Sequence, residues 1–239
     1  MNLSRCDESL INLLDLTLDD RSKETLVRYF SDKTTYLEVL LTQISNKDLY
    51  SEFIFPNMEN VIDIGANVGI FTLFVAPFCR NIYSIEPTPN HFKLLEMLTE
   101  NDARIKPIQV AIGGESGKKE FFNSPLNQTS NSFFKEDGGT LLESVDVLSL
   151  KDFFQSRSIT SSDFVKLDAE GAEVQIITDE SFQELNGKIK TLYIEVHNIN
   201  NGPHQNSLQV NLEIVSSRLK TLGYSTQIKN IDTIIARWP

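Results

Sequence analysis

The chain has 239 residues, with 33 acidic against 22 basic side chains and a formal net charge of -11. With 40% apolar and 23% charged residues, it reads as a globular protein with one domain of ordinary size and room for an appendage, not as a disordered chain. The acidic balance excludes a broad nucleic-acid or anionic-membrane surface, no apolar run approaches the roughly 18 residues of a membrane span, and the start lacks the basic-then-apolar pattern of a secretory signal.

Residues 1–50 read as helical. Leu10, Ile11, Leu13 and Leu14 form a dense apolar face, Ser22 caps a second helix with Leu26, Val27 and Phe30, and Thr34 or Thr35 caps a third with Leu37, Leu40, Leu41 and Ile44. Cys6 in this part and Cys79 beyond it make no disulfide framework or zinc site, so a reducing, cytoplasmic location is expected. The turn signal around Phe55, Pro56 and Asn57 marks the boundary of a helical N-terminal extension, 1–57, and a second unit, 58–239.

From Asn60 the rhythm becomes strand, helix, strand, helix. Strands are predicted at Val61–Ile64, Ile82–Ile85 and Ile105–Ala111, with helices at Ile70–Ala76, ended by Pro77, and from Pro89 to about Asn101. An insertion over about 113–144 breaks the pattern; Gly113 to Gly139 is rich in Gly, Ser and Asn, and reads as a loop or hairpin with a strand at Lys119–Phe122. Phe121, Phe122, Phe133 and Phe134 serve there as anchors onto the core or as walls of an acceptor pocket. A strand at Val145–Val147, a short helix capped by Ser149, a strand at Phe164–Asp168, a helix at Glu173–Thr178 and a strand at Thr191–Val196 follow. A long helix from Ser207 to Leu222 and strands at Tyr224–Ile228 and Thr233–Ala236 end the chain. Such alternation marks a parallel sheet with helices on both faces.

The most informative phrase is D-x-G-x-N-x-G, made by Asp63, Gly65, Asn67 and Gly69 where a strand turns into a helix. Glycine lets backbone approach a ligand, and a helix start offers free N–H groups. The G-x-G-x-x-G spacing of a dinucleotide site is absent, which disfavours a nucleotide-linked oxidoreductase. Glu86, 23 residues after Asp63 at the end of the second strand, suits the two hydroxyls of a ribose, because a carboxylate accepts several hydrogen bonds. A nucleoside held by its sugar, without a pyrophosphate at the glycine turn, describes S-adenosylmethionine.

These residues carry a family likeness. The phrases VIDIGANVGIFT (61–72), YSIEPTPNHFKLLE (83–96), VAIGGESG (110–117), VDVLSLKDFF (145–154), DFVKLDAEGAEVQII (163–177) and LYIEVH (192–197) make the chain resemble the FkbM-type S-adenosylmethionine-dependent methyltransferases, in order and over about 60–197. The resemblance implies a seven-stranded Rossmann-like α/β sheet and methyl transfer, usually to a hydroxyl oxygen, on sugars, glycans or natural-product small molecules. It implies that Gly65, Asn67 and Gly69 line the amino-acid part of the cofactor, that Glu86 holds the ribose, and that Gln109, Val110 and Ala111 lie by the adenine through backbone contacts; Asp63, a carboxylate at the strand end, is read as a cofactor contact able to bond a cationic or amine-bearing ligand.

Asp168, also a candidate cofactor contact, joins Glu170 and Glu173 after the fourth strand, while Glu195 and His197 end the fifth. Alternation sends Glu195 and His197 to one face. Asp168, Glu195 and His197 are therefore the candidate catalytic residues. Two mechanisms fit. His197, with an ordinary pKa of about 6.5, takes the acceptor proton; or Asp168 and Glu195, with His197 or Asn198, hold Mg²⁺ or Mn²⁺ to acidify the hydroxyl. Glu173 reads as an acid favoured by a helix start, His91 as solvated or packed, and His204 as part of a surface loop. An N-methyltransferase acting on a small amine remains an alternative, as does a nucleoside sensor without turnover.

Overall fold

The computed structural model describes residues 50, 52–123, 131–135, 139–198 and 206–239. The helices expected within 1–49, and with them Cys6, Ser130 and His204, lie outside the described residues. No described helix is long and apolar enough to cross a membrane.

The core is a seven-stranded sheet in the order β3-β2-β1-β7-β8-β10-β9. Its strands are β1 (Met58–Ile64), β2 (Cys79–Ile85), β3 (Ile105–Ile108), β7 (Ser162–Leu167), β8 (Ile189–Glu195), β9 (Ser225–Ile228) and β10 (Thr233–Arg237). β1, β2, β3, β7 and β8 are parallel, as continuous apolar strands buried on both faces should be. β10 alone runs antiparallel, between β8 and β9. Among the described residues the α-helices are α1 (Ile70–Val75), α2 (Pro89–Thr99), α3 (Leu150–Ser156), α4 (Glu173–Thr178) and α5 (Leu208–Thr221). Ser149 and Ser207 cap α3 and α5, each side chain accepting a backbone N–H from the first turn, as the sequence predicted.

Period-two alternation sorts side chains to two faces. Ile62, Ile64, Val165, Leu167, Leu192 and Ile194 pack with α3, α4 and α5 on one. Val61, Phe164 and Tyr193 pack on the other with Phe71 and Val75 of α1, and with Tyr50 and Phe53 from before β1. Asp63 and Lys166 belong to this second face. Strand register sets Asp63 between Ser84 and Lys166, and Lys166 beside Tyr193. A polar row thus crosses the sheet beneath α1.

The third strand is shorter than predicted. It ends at Ile108, where Val110 N–H bonds back to the Ile108 carbonyl at 3.2 Å. Ala111 instead belongs to β4 (Ala111–Gly113), in a separate three-stranded sheet ordered β4-β6-β5. Its other strands, β5 (Gly117–Phe122) and β6 (Leu141–Ser149), are antiparallel, so the insertion is built on a hairpin. Pro107 lacks an N–H and is tolerated because β3 is an edge strand.

Gly69 has φ +90°, and an added Cβ would stand 2.6 Å from Leu95 Cδ1 of α2. Gly69→Ala is expected to lose about 2 kcal/mol or more of unfolding free energy in urea titration, from backbone strain and overpacking together.

Candidate active site

The carboxyl ends of β1, β2, β7 and β8 bring two groups of polar residues together. The first surrounds the turn from β1 into α1. Gly65, Asn67 and Gly69 all have positive φ, at 80°, 54° and 90°, a conformation open to glycine and tolerated by asparagine. The Gly65 and Ala66 N–H groups bond to the Ile85 carbonyl at 3.0 and 2.9 Å. A Cβ on Gly65 would come within 1.9 Å of the Asp168 backbone oxygen, so only glycine lets the two strand ends approach this closely.

Glu86 is nearly buried and closes this turn. Its Oε2 accepts the Asn67 N–H at 2.9 Å and its Oε1 the Thr88 N–H at 2.8 Å, and His91 Nδ1 lies 3.8 Å from Oε1. His91 is packed rather than solvated. Each carboxylate oxygen keeps lone-pair capacity for a ligand. Asp63, by contrast, is wholly buried. Its Oδ2 accepts from Thr72 Oγ1 at 2.7 Å, and Thr72 also reaches Ser84 Oγ at 2.8 Å. Burial pushes the Asp63 carboxyl up to about 6. Gln109 is exposed, while Val110 and Ala111 turn into apolar packing.

The second group follows β7 and β8. Lys166 is buried, and its Nζ bonds Asp168 Oδ2 at 2.7 Å. Burial alone would lower the lysine, but Asp168, Tyr50, Asp63 and Glu195 hold its ammonium well above the ordinary range. Burial would raise Asp168, yet Lys166 and His197 keep it below the usual carboxylate range. Glu173, wholly buried, takes the Ala169 N–H at 2.9 Å, the Gly171 N–H at 3.1 Å and His197 Nδ1 at 3.0 Å. His197 Nε2 is left facing Asp168 Oδ1 at 3.7 Å and Glu170 Oε2 at 3.5 Å.

Burial favours a neutral His197, but Glu173, Glu170 and Asp168 hold its imidazole well above 6.5. Glu170 is pushed up to about 8, chiefly by burial, and Glu195 to about 7, first by Asp168 and then by burial. Asp168, Glu170 and His197 each offer one ligand atom within 4.8 Å of the others.

The predicted Asp168, Glu195 and His197 therefore share one field, and Glu86 shares the glycine turn. Asp63 is withdrawn beneath α1. Lys166 and Glu173 carry more of the site than sequence reasoning gave them. A charged residue inside the apolar run Phe164–Leu167 was the signal for Lys166, since unpaired charge is not buried. The described end of the insertion also reaches the site: Asn131 Nδ2 donates to Thr88 Oγ1 at 3.2 Å, and Ser132 Oγ to the Glu170 carbonyl at 2.7 Å.

The family model described as the methyltransferase FkbM domain matches residues 63–234. No curated protein matches the chain in sequence. Among solved structures, methyltransferase FkbM from Methylobacillus flagellatus KT aligns at TM-score 0.43 and 16% identity over 96% of this chain, which spans 58% of that one. The Methanococcus jannaschii fibrillarin pre-rRNA processing protein aligns at 0.47 and 11%, covering 78% of this chain and 68% of its own. Aeropyrum pernix fibrillarin, solved with natively bound S-adenosyl-L-methionine, aligns at 0.42 and 12%, covering 77% and 67%.

Two outcomes test these electrostatics. Glu173→Gln should bring the His197 titration down toward 6.5, read from imidazole NMR shifts, because the nearest carboxylate is gone. Glu170, Glu195 and His197 all bind protons more tightly folded than unfolded, so their contribution is present at low pH and is lost as pH rises through the folded values. The melting temperature of the ligand-free protein should fall from about pH 5 to about pH 8, and Glu170→Gln should flatten that fall.

Proposed function

The chain belongs to the methyltransferase FkbM domain family, and from that premise we propose that it methylates a hydroxyl oxygen on a sugar, glycan or natural-product acceptor with S-adenosylmethionine as donor. The observation that carries the reading is the juxtaposition of two units. Glu86, locked by Asn67 and Thr88 N–H groups onto a turn of three positive-φ residues, is one. The His197–Glu173 pair across the carboxyl edge of the sheet is the other.

The donor set suits a nucleoside with a cationic centre. Glu86 is preorganised with acceptor capacity to spare for ribose hydroxyls. Asp168, held ionised by Lys166, is the negative group of the second unit that would face a cationic centre. Bound there, S-adenosylmethionine supplies an activated methyl group. Everything else falls to the chain: it aligns the acceptor oxygen and removes its proton.

His197 is the proton acceptor in this reading. Glu173 fixes its ring through Nδ1 and leaves Nε2 toward the site, the orienting role a buried carboxylate plays for a basic histidine. Asp168, clamped by Lys166, stays ionised beside it and stabilises the imidazolium once formed. Glu195 adds to the same field.

A second reading rests on the three ligand atoms of Asp168, Glu170 and His197. They would hold Mg²⁺ or Mn²⁺, with Glu173 orienting the histidine from behind, and the ion would acidify the acceptor hydroxyl. Turnover that survives exhaustive chelation excludes it.

Calorimetric titration with S-adenosylmethionine, with NAD as control, tests the donor site. Glu86→Ala should weaken binding by about 1.5–3 kcal/mol, the worth of hydrogen bonds to a charged group; saturable NAD binding with none for the sulfonium compound would overturn the reading. His197→Ala should leave donor affinity near normal and slow turnover about 10²- to 10⁴-fold. The wild-type rate should rise with pH beyond about 6.5, because the imidazole must first lose its proton.

A further inference from the structure

The insertion supplies a group that the sheet itself lacks. Past the end of β3, Val110 and Ala111 offer only apolar side chains and Gln109 is exposed. Among the described residues 109–111, no buried polar side chain is available to read a base. Asn131 stands beside it. Its Nδ2 is used on Thr88 Oγ1, and Thr88 N–H is one of the two backbone groups that hold Glu86. Its Oδ1 is buried and, among the described residues, receives no hydrogen bond. A buried amide oxygen without a donor costs free energy unless a ligand provides one.

The segment bearing Asn131 is held firmly. Ser132 exchanges two backbone hydrogen bonds with Phe122 of β5, at 2.8 and 3.0 Å. Phe133 packs edge-on against Phe121, with ring centroids 5.5 Å apart. Ser132 Oγ bonds the Glu170 carbonyl. Residues 131–133 thus join the turn after β2 to the turn after β7, on either side of Gly65–Gly69.

We propose that Asn131 is a donor-specificity residue: its Oδ1 accepts a hydrogen bond from the exocyclic amine of adenine. This rests on the donor-site reading above and names the residue that reads the base. With Glu86 committed to the ribose hydroxyls, the base edge is the part of the nucleoside left to recognise. The exocyclic amine is adenine's donor on that edge. Hypoxanthine carries a carbonyl oxygen at the same position. Asn131 would then face an acceptor with an acceptor, and a site built to hydrogen-bond a group rejects the analogue that lacks it.

The test compares binding of S-adenosylhomocysteine and its inosine analogue by calorimetry. The wild-type protein should favour the adenosine compound by about tenfold or more. Asn131→Ala should collapse that preference to within about threefold while retaining affinity for the inosine compound, which also reports that the variant is folded. Asn131→Asp keeps an acceptor oxygen and should keep the preference. If the wild type binds the adenosine compound and Asn131→Ala leaves the preference unchanged, or Asn131→Asp abolishes it, the assignment to Asn131 is wrong and the donor-site reading stands. If the wild type binds neither compound, the donor site itself is wrong, and the assignment falls with it.

Discussion

Lys166 can occupy the middle of a parallel sheet only if its charge is met on every side. Strand register puts Asp63 beside it in β1 and Tyr193 beside it in β8. Two residues on, Asp168 bonds its ammonium at 2.7 Å. The Lys166 ammonium stands 6.0 Å from the Phe71 ring centroid, on the α1 side. Removing Asp168 leaves the ammonium without its hydrogen-bonded counter-charge in a low-dielectric core, which is far more costly than losing a surface pair. The strand ends are therefore held in mutual register by an electrostatic requirement as well as by the hydrogen-bond ladder. Gly65 adds a steric one, because no side chain fits between it and the Asp168 carbonyl.

From that anchor the polar chemistry is laid out along the edge of the sheet. Lys166 draws one oxygen of Asp168 inward and leaves the other toward His197. Glu173 collects the N–H groups of the turn after β7 and the imidazole that follows β8, so one carboxylate ties two strand ends together. On the other flank Glu86 does the same for the turns after β1 and β2. Both acids are structural clasps, and the proposed roles of Glu86 toward the ribose and of Glu173 toward His197 build on their being fixed in place.

The sequence made much of this readable. The alternation from Val61 onward specified the parallel sheet, and serines 149 and 207 marked helix starts because their side chains satisfy otherwise free N–H groups. The glycine turn and Glu86 were legible because positive φ and a strand-end acid leave local signatures. The end of β3 was not: Ile105 to Ala111 reads as one strand until the Val110 turn and a second sheet divide it. Glu173 was underrated because a helix-start acid looks the same in sequence whether it faces solvent or His197. Asn131 leaves no such local signature, since its contact with Thr88 spans 43 positions and is created by the hairpin.

Tyr50 and Phe53 carry a consequence for the order of assembly. Both lie ahead of β1, yet their packing partners include Phe164, Tyr193 and Ile235, the last of these in the final strand. Phe53 is also covered by Lys229 and Arg237, whose charged ends stand 5.1 and 5.0 Å from its ring centroid. During synthesis these two aromatic side chains emerge early, and the surface that shelters them is complete only once β10 has been made. The seam between the segment ahead of β1 and β10 must then close late, on the same face of the sheet that holds Lys166. A nascent chain halted before β10 would leave Tyr50 and Phe53 without part of their cover, so packing on the face that holds Lys166 is completed only when β10 has been made.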